Sequence, residues 1–258
     1  MPTVSQLAIA PVKGLALLHP PVVHLGRDGV AENRRFFLMA GDGRHRSGLA
    51  FGTLACVEPV YDPATETLAL RLPDAVVSGS AIAEGPRVEV PWGSRLLHGR
   101  LVDGPFSAAL SEFIGEDLRL VRADDAEHLQ SYPASIISTA SLEALSASAG
   151  LAALDDRRFR MLVTIDGVDA FGEDAWIGSE VSIGAAVVHV ELPTSRCATT
   201  TRDPATGLRD WDALRAVKNL RGLSPTNTID FGVYATVVTP GTIGVGDEVR
   251  PATEAAAA

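Results

Sequence analysis

The residue with the widest chemical reach in this sequence is Cys197. It stands in the run Ser195-Arg196-Cys197-Ala198-Thr199-Thr200-Thr201-Arg202-Asp203-Pro204-Ala205-Thr206-Gly207. A strand is expected to end at Leu192, with Pro193 stopping it, and a polar loop then carries one thiol beside one guanidinium. A neighbouring cation lowers a thiol's pKa, and the thiolate is the form that ligates metals or attacks sulfur. Soft thiolate suits a soft or high-valent metal that already carries sulfur ligands. The competing reading is a small buried hydrophobe, because a single cysteine is a poor metal site unaided. Spacing alone leaves both open.

Other chemistries find less support. The six histidines, His19, His24, His45, His98, His128 and His189, show no metal-ligand spacing and read as surface or half-buried side chains. Glu173-Asp174 reads as an acidic pair opening a short helix before Trp176, not as an acid–base pair. The glycine-rich stretch Gly241-Thr242-Ile243-Gly244-Val245-Gly246 lies in an expected hairpin, so a dinucleotide loop is discounted. Cys56, in an expected strand, reads as structural, and no Ser-His-Asp pattern stands out.

Composition narrows the class further. With 258 residues, 46% hydrophobic and 21% charged, the chain can bury a sizeable core as one large domain or two small ones. A net charge of −10 argues against nucleic acid as a partner, though local basic clusters can still hold a small anion. Two cysteines make a disulfide framework implausible and fit a cytoplasmic, reducing location. The start MPTVSQLAIAPVKG shows no secretory signal, and no apolar run reaches the roughly 18 residues of a membrane span.

The elements that must position these groups read as mainly β with a few helices. Expected strands are Val4–Ile9, Val22–Leu25, Arg35–Met39, Cys56–Tyr61, Leu68–Leu72, Arg87–Val90, Leu96–Leu101, Leu118–Val121, Ser135–Ser138 and a buried Arg160–Ile165. Val181–Ile183 and Ala186–Leu192 should pair through Gly184, and Val233–Val238 should pair with Thr242–Val249 around Pro240-Gly241. Helical spacing predicts Phe106–Ile114, Thr139–Ser148 with Thr139 or Ser141 near its N-cap, and Asp212–Leu220. No βαβ alternation is visible, which points to barrel-like β structure. The acidic stretch at 124–127 marks a boundary between an N-terminal β-rich module, 1–123, and a second domain, 124–251, with a frayed tail at 252–258.

The cysteine loop resembles that of the MOSC family, named for the C-terminal domain of molybdenum cofactor sulfurases. Phe171-Gly172-Glu173-Asp174-Ala175-Trp176 is similar to the family's aromatic and acidic segment. Phe231-Gly232-Val233-Tyr234, with Pro240-Gly241-Thr242-Ile243 and Val245-Gly246-Asp247, is similar to its closing hairpin. Pro11-Val12-Lys13-Gly14 and Asn33-Arg34-Arg35-Phe36-Phe37-Leu38 resemble the N-terminal β-barrel module that accompanies many MOSC domains. These fragments occur in order along nearly the whole chain. Gly14, Asn33 and Met161-Leu162 depart from the pattern, where serine, aspartate and a Pro-Asn pair are common.

The resemblance implies that Cys197 is the protein ligand to molybdenum. It further implies that Lys13, Arg34, Arg160, Ser195, Arg196 and Tyr234, with Ser131 less securely aligned, contact a molybdopterin cofactor. Such a set suits the ligand, because basic side chains neutralise its phosphate and hydroxyls read its ring edges. The implied function is a molybdenum-dependent oxidoreductase that reduces N-hydroxylated small molecules. Electrons would come from a separate reductase or carrier protein, since two cysteines cannot hold an iron–sulfur cluster. Two alternatives share the residues: a sulfur carrier with a persulfide on Cys197, and a non-catalytic carrier of the cofactor.

Overall fold

The computed structural model describes residues 1–124 and 129–252. Most of the expected 124–127 linker and of the 252–258 tail lies outside the described residues, as does His128. The described chain holds eighteen strands and three α-helices, and no helix among the described residues is long and apolar enough to cross a membrane.

A seven-stranded sheet dominates, in the order Thr3–Leu7, Val163–Asp166, Ala134–Ser138, Asp230–Thr239, Ala186–Ser195, Glu180–Ile183, Val249–Pro251. Its two edges meet. Thr3 bridges Glu248, Val4 N donates to Asp247 O at 2.8 Å, and Val249 N donates to Pro2 O at 2.9 Å. The sheet thereby nearly closes into a barrel, which removes the exposed strand edges that an open sheet must protect. Inward positions recur with the strand period of two and carry Val4, Ile136, Val163, Ile165, Val188, Val190, Val233 and Ala235 into one apolar interior.

The N-terminal half builds a second core. A five-stranded sheet runs His45–Arg46, Phe36–Ala40, Leu118–Ala123, Arg95–Leu101, Arg87–Trp92. Glu58–Asp62, Thr67–Arg71 and Val76–Ser80 form a three-stranded sheet, and Phe36, Leu54, Leu70, Phe106 and Leu120 fill the space between these sheets and the helix Phe106–Ile114. A small sheet of Gly241–Gly244, Val22–Gly26 and Gly29–Val30 ties the two halves together.

Local chemistry explains the helices. Phe106–Ile114 falls where its apolar spacing puts it and stops at Gly115 in the left-handed conformation, φ 79°. Thr139–Ser148 is capped one residue earlier than expected, by Ser138, whose Oγ accepts from Ser141 N at 3.1 Å. Asp212 caps Ala213–Arg221 by accepting from Arg215 N at 3.0 Å.

Five expectations need correction. The strand expected to stop at Pro193 continues to Ser195, because register shifts around Leu192 and Pro193 take the missing donor out of the ladder. Arg160 is not in a strand: it ends the 3₁₀ turn Asp156–Phe159 at φ 53°, and the strand starts at Val163. Cys56 closes the 3₁₀ turn Gly52–Cys56 instead of opening a strand. The final hairpin is absent, since Gly241–Gly244 pairs with Val22–Gly26 and Val249–Pro251 pairs with Glu180–Ile183. One βαβ unit exists: Ala134–Ser138 and Val163–Asp166 run parallel, with the helix Thr139–Ser148 between them. Thr3–Leu7, the first strand of the chain, also lies in the barrel sheet.

Candidate functional site

Between the barrel and the N-terminal sheets lies a cleft of about 370 Å³. Lys13, Arg34, Ser131, Arg160, Ser195, Arg196, Cys197 and Tyr234 all line it. Lys13 and Cys197, separated by more than 180 positions, meet there.

Cys197 follows the bulged end of the Ala186–Ser195 strand and opens the 3₁₀ turn Ala198–Thr201. Its thiol is exposed and free, with Thr199 Oγ1 at 3.4 Å. Its carbonyl accepts from Thr200 N at 3.1 Å and from Thr200 Oγ1 at 3.0 Å, which fixes the backbone while leaving the sulfur accessible. Ser195 Oγ donates to Asp230 Oδ1 at 3.0 Å. Arg196 turns inward: its Nε donates to Phe231 O at 2.8 Å, its Nη1 to Phe159 O at 2.9 Å, and its Nη2 faces the Met161 sulfur at 2.8 Å. Burial pulls its pKa to about 10 against the opposing pull of Tyr234, Cys197 and Asp230. Arg196 therefore braces the loop, and its charge reaches the thiol without a direct bond.

The remaining cations form a group of three. Lys13 lies 3.9 Å over the Trp92 ring and donates to Leu129 O. Burial, then the charges of Arg34, Arg160 and Arg95, hold its ammonium well below the usual lysine range, with Cys197 pulling the other way. Arg34 donates through Nη1 to Gln130 Oε1 at 3.1 Å, and burial lowers its pKa while Tyr234 opposes. Arg160 is brought down to about 9 by burial and by Arg34, and its Nη2 is buried without a partner. None of the three meets a carboxylate among the described residues. Arg34 and Arg160 both adopt positive φ, 55° and 53°, a region that costs a non-glycine residue about 1–3 kcal/mol. A cluster of like charges held by strained backbone is arranged for an anion.

The departures from the family pattern have local causes. Gly14 sits at φ 94° with a Cβ position only 3.0 Å from Gly48 N, where a serine would be strained. Asn33, fully buried, accepts from Ala10 N at 2.9 Å and turns its amide toward Gln130 Oε1 at 3.5 Å, a donor role closed to aspartate. Met161 faces Arg196, and Leu162 joins the barrel core.

Several cleft residues escape sequence reasoning. Arg158, buried, holds Asp210 through Nη1 at 2.9 Å and approaches Asp203 at 3.6 Å, so it ties Arg160's turn to the loop after Cys197. Its signal in the sequence was only another arginine beside Arg157. Tyr132 stacks on Tyr234 with ring centroids 5.1 Å apart, and Thr194 Oγ1 is buried without a partner. Trp92 and His45 bring the N-terminal sheet to the wall, and no spacing in the sequence links them to Cys197.

The chain is similar to several known proteins. The mouse mitochondrial amidoxime-reducing component 1 is 27% identical over 285 residues, covering 96% of this chain and 81% of that protein. Its human counterpart is 36% identical over 98 residues, 35% of this chain and 28% of that protein. Among solved structures, the YuaD protein of Bacillus subtilis aligns over 97% of this chain and 96% of its own, with 12% identity and a TM-score of 0.48. The family model described as the MOSC domain matches residues 117–250, a span that takes in the Cys197 loop, Arg160 and Tyr234. More than half of the chain thus carries the family's signature, and the protein belongs to the MOSC domain family.

Proposed function

We propose that this protein is a molybdenum-cofactor oxidoreductase that reduces N-hydroxylated small molecules with electrons from a separate donor protein. The observation that carries the reading is one cleft in which an exposed thiol faces three cations that lack carboxylate partners among the described residues. The mouse relative, named for amidoxime reduction and alignable over nearly the whole chain, supports the substrate class.

The residues fit the cofactor. Arg160 Nη2 and Thr194 Oγ1 are orphaned polar atoms on the cleft wall, which a ligand with phosphate and ring heteroatoms would satisfy. Lys13, Arg34 and Arg160 would neutralise the phosphate. Ser131, Ser195 and Tyr234 offer hydroxyls to the ring system, and Cys197 offers the thiolate to the metal. When bound, the cofactor supplies two-electron redox chemistry at a sulfur-ligated metal. The protein's part is to position and to exclude water: Arg196 and Arg158 hold the thiol loop, while Trp92 and the Tyr132–Tyr234 stack wall the cleft.

Protein purified as expressed should contain molybdenum and pterin near one per chain, and Cys197→Ala should lose the metal. Reduction of benzamidoxime with reduced viologen should be fast in the wild type and at least 100-fold slower in the variant. Because the Cys197 sulfur is exposed, the persulfide reading makes a distinct forecast. A metal-free protein with cyanide-labile sulfur on Cys197 would replace the oxidoreductase with a sulfur carrier. Molybdenum and pterin without any turnover would instead indicate a cofactor carrier.

A further inference from the structure

One imidazole on the cleft wall leaves a buried nitrogen without a partner. His45 lies on the short strand His45–Arg46 opposite Met39, half-buried, with its ring packed between Trp92 and Phe37 at centroid distances of 5.5 and 6.2 Å. Its Nε2 is buried without a hydrogen-bond partner. Leaving such an atom unsatisfied is destabilising, and an apolar ring would fill the same aromatic niche without that cost. Arg160 Nη2 and Thr194 Oγ1 are orphaned on the same cleft. Orphans gathered around one cleft mark a site whose hydrogen bonds come from what it binds.

His45 differs from the cations beside it. Burial, then the charges of Lys13 and Arg46, lower its pKa to about 4, so the ring is neutral at neutral pH and has one N–H and one lone pair. The nearby cations already cover a ligand's negative charge. A neutral imidazole at the flank of Lys13 suits a neutral polar edge instead.

The geometry points to His45 as a ligand-contacting residue, its Nε2 hydrogen-bonding the neutral polar edge of a planar nitrogen compound held in the cleft. This rests on the oxidoreductase reading. Two molecules share the chemistry, the pterin ring of the cofactor and an N-hydroxylated substrate, and they separate by experiment.

His45→Phe keeps the aromatic packing and removes the nitrogens, whereas His45→Gln restores an N–H and a C=O. If the partner is the pterin, His45→Phe should carry at least fivefold less pterin and molybdenum than the wild type at an unchanged melting temperature. If the partner is the substrate, content stays level while KM for benzamidoxime rises at least fivefold and kcat changes less than twofold. His45→Gln should recover most of either loss, which a packing role would not do. Wild-type content, KM and kcat in His45→Phe would overturn the proposal. Should that variant not fold, ¹⁵N resonances of His45 in the wild type decide: a shift on cofactor or substrate binding supports the contact, and identical resonances in all states overturn it. A wild type lacking both pterin and molybdenum would sink the cofactor reading itself, and this proposal with it.

Discussion

Arg160 holds its guanidinium in the cleft at φ 53°, in the conformation that glycine adopts without penalty. Stability and binding therefore pull in opposite directions at this one residue. Arg160→Gly should leave the cofactor-free protein equally stable or up to about 1 kcal/mol more stable, because strain and an unpaired buried charge are both removed. The same change removes a charge-assisted contact of about 1.5–3 kcal/mol, so phosphate affinity should fall roughly 10- to 100-fold. Calorimetric titration with inorganic phosphate, beside thermal melts, reads the two effects separately. A glycine variant that melts much lower yet binds phosphate normally would mean that Arg160 serves the fold and not the ligand. The motif resemblance pointed to Arg160 as a ligand contact, but its left-handed turn was not legible, since Phe159-Arg160-Met161-Leu162-Val163 has the apolar pattern of a buried strand. The pattern was right only from Val163 onward, because Arg157 O accepts from Arg160 N at 3.2 Å and holds the chain in a turn.

At the scale of elements, the loop after Cys197 is clamped onto the N-terminal half. Arg202 donates to Gly207 O at 3.0 Å and to Leu49 O at 2.9 Å, and Cys56 Sγ lies 3.0 Å from Ala205 O. Gly52 and Gly207 touch backbone to backbone, so that a Cβ on either would overlap the other's main chain. Gly52→Ala should cost about 1–3 kcal/mol, the range for overpacking, and displace the loop that presents the thiol. Urea denaturation measures the first effect, and the rate of maleimide labelling at Cys197, resolved by mass spectrometry, measures the second. Unchanged stability and labelling would show that the clamp does not position the thiol. Local signals made the helices legible: the helical spacing of Phe106, Leu110 and Ile114 acts between neighbouring turns. Pairings were not, because Gly241–Gly244 reaches Val22–Gly26 across the whole chain and the intervening sequence does not encode which edge it meets. The ordered motifs named residues that line one cleft, whereas Arg158, Trp92 and His45 enter this candidate site only through those long-range pairings.

For the whole molecule, a net charge of −10 surrounds a cleft built from cations of both halves, Lys13 and Arg34 from one and Arg160 from the other. An anion bound there neutralises the cluster and joins the halves, so it should stabilise the folded state alone. At 100 times its dissociation constant, phosphate should add about 2.7 kcal/mol, a rise of roughly 5–10 °C in the melting temperature of cofactor-free protein, beyond a chloride control of equal ionic strength. The pH dependence follows from the lowered values of Lys13 and of Arg160, the latter near 9. As pH rises through these values the folded state releases protons that the unfolded chain still binds, so the ligand-free protein gains stability. Phosphate needs those same protons. Its stabilising increment should shrink as pH climbs past about 9, where Arg160 gives up its proton. Melts with and without phosphate between neutral pH and about 10 test this, and an increment that stays constant across the range would place the anion away from these cations.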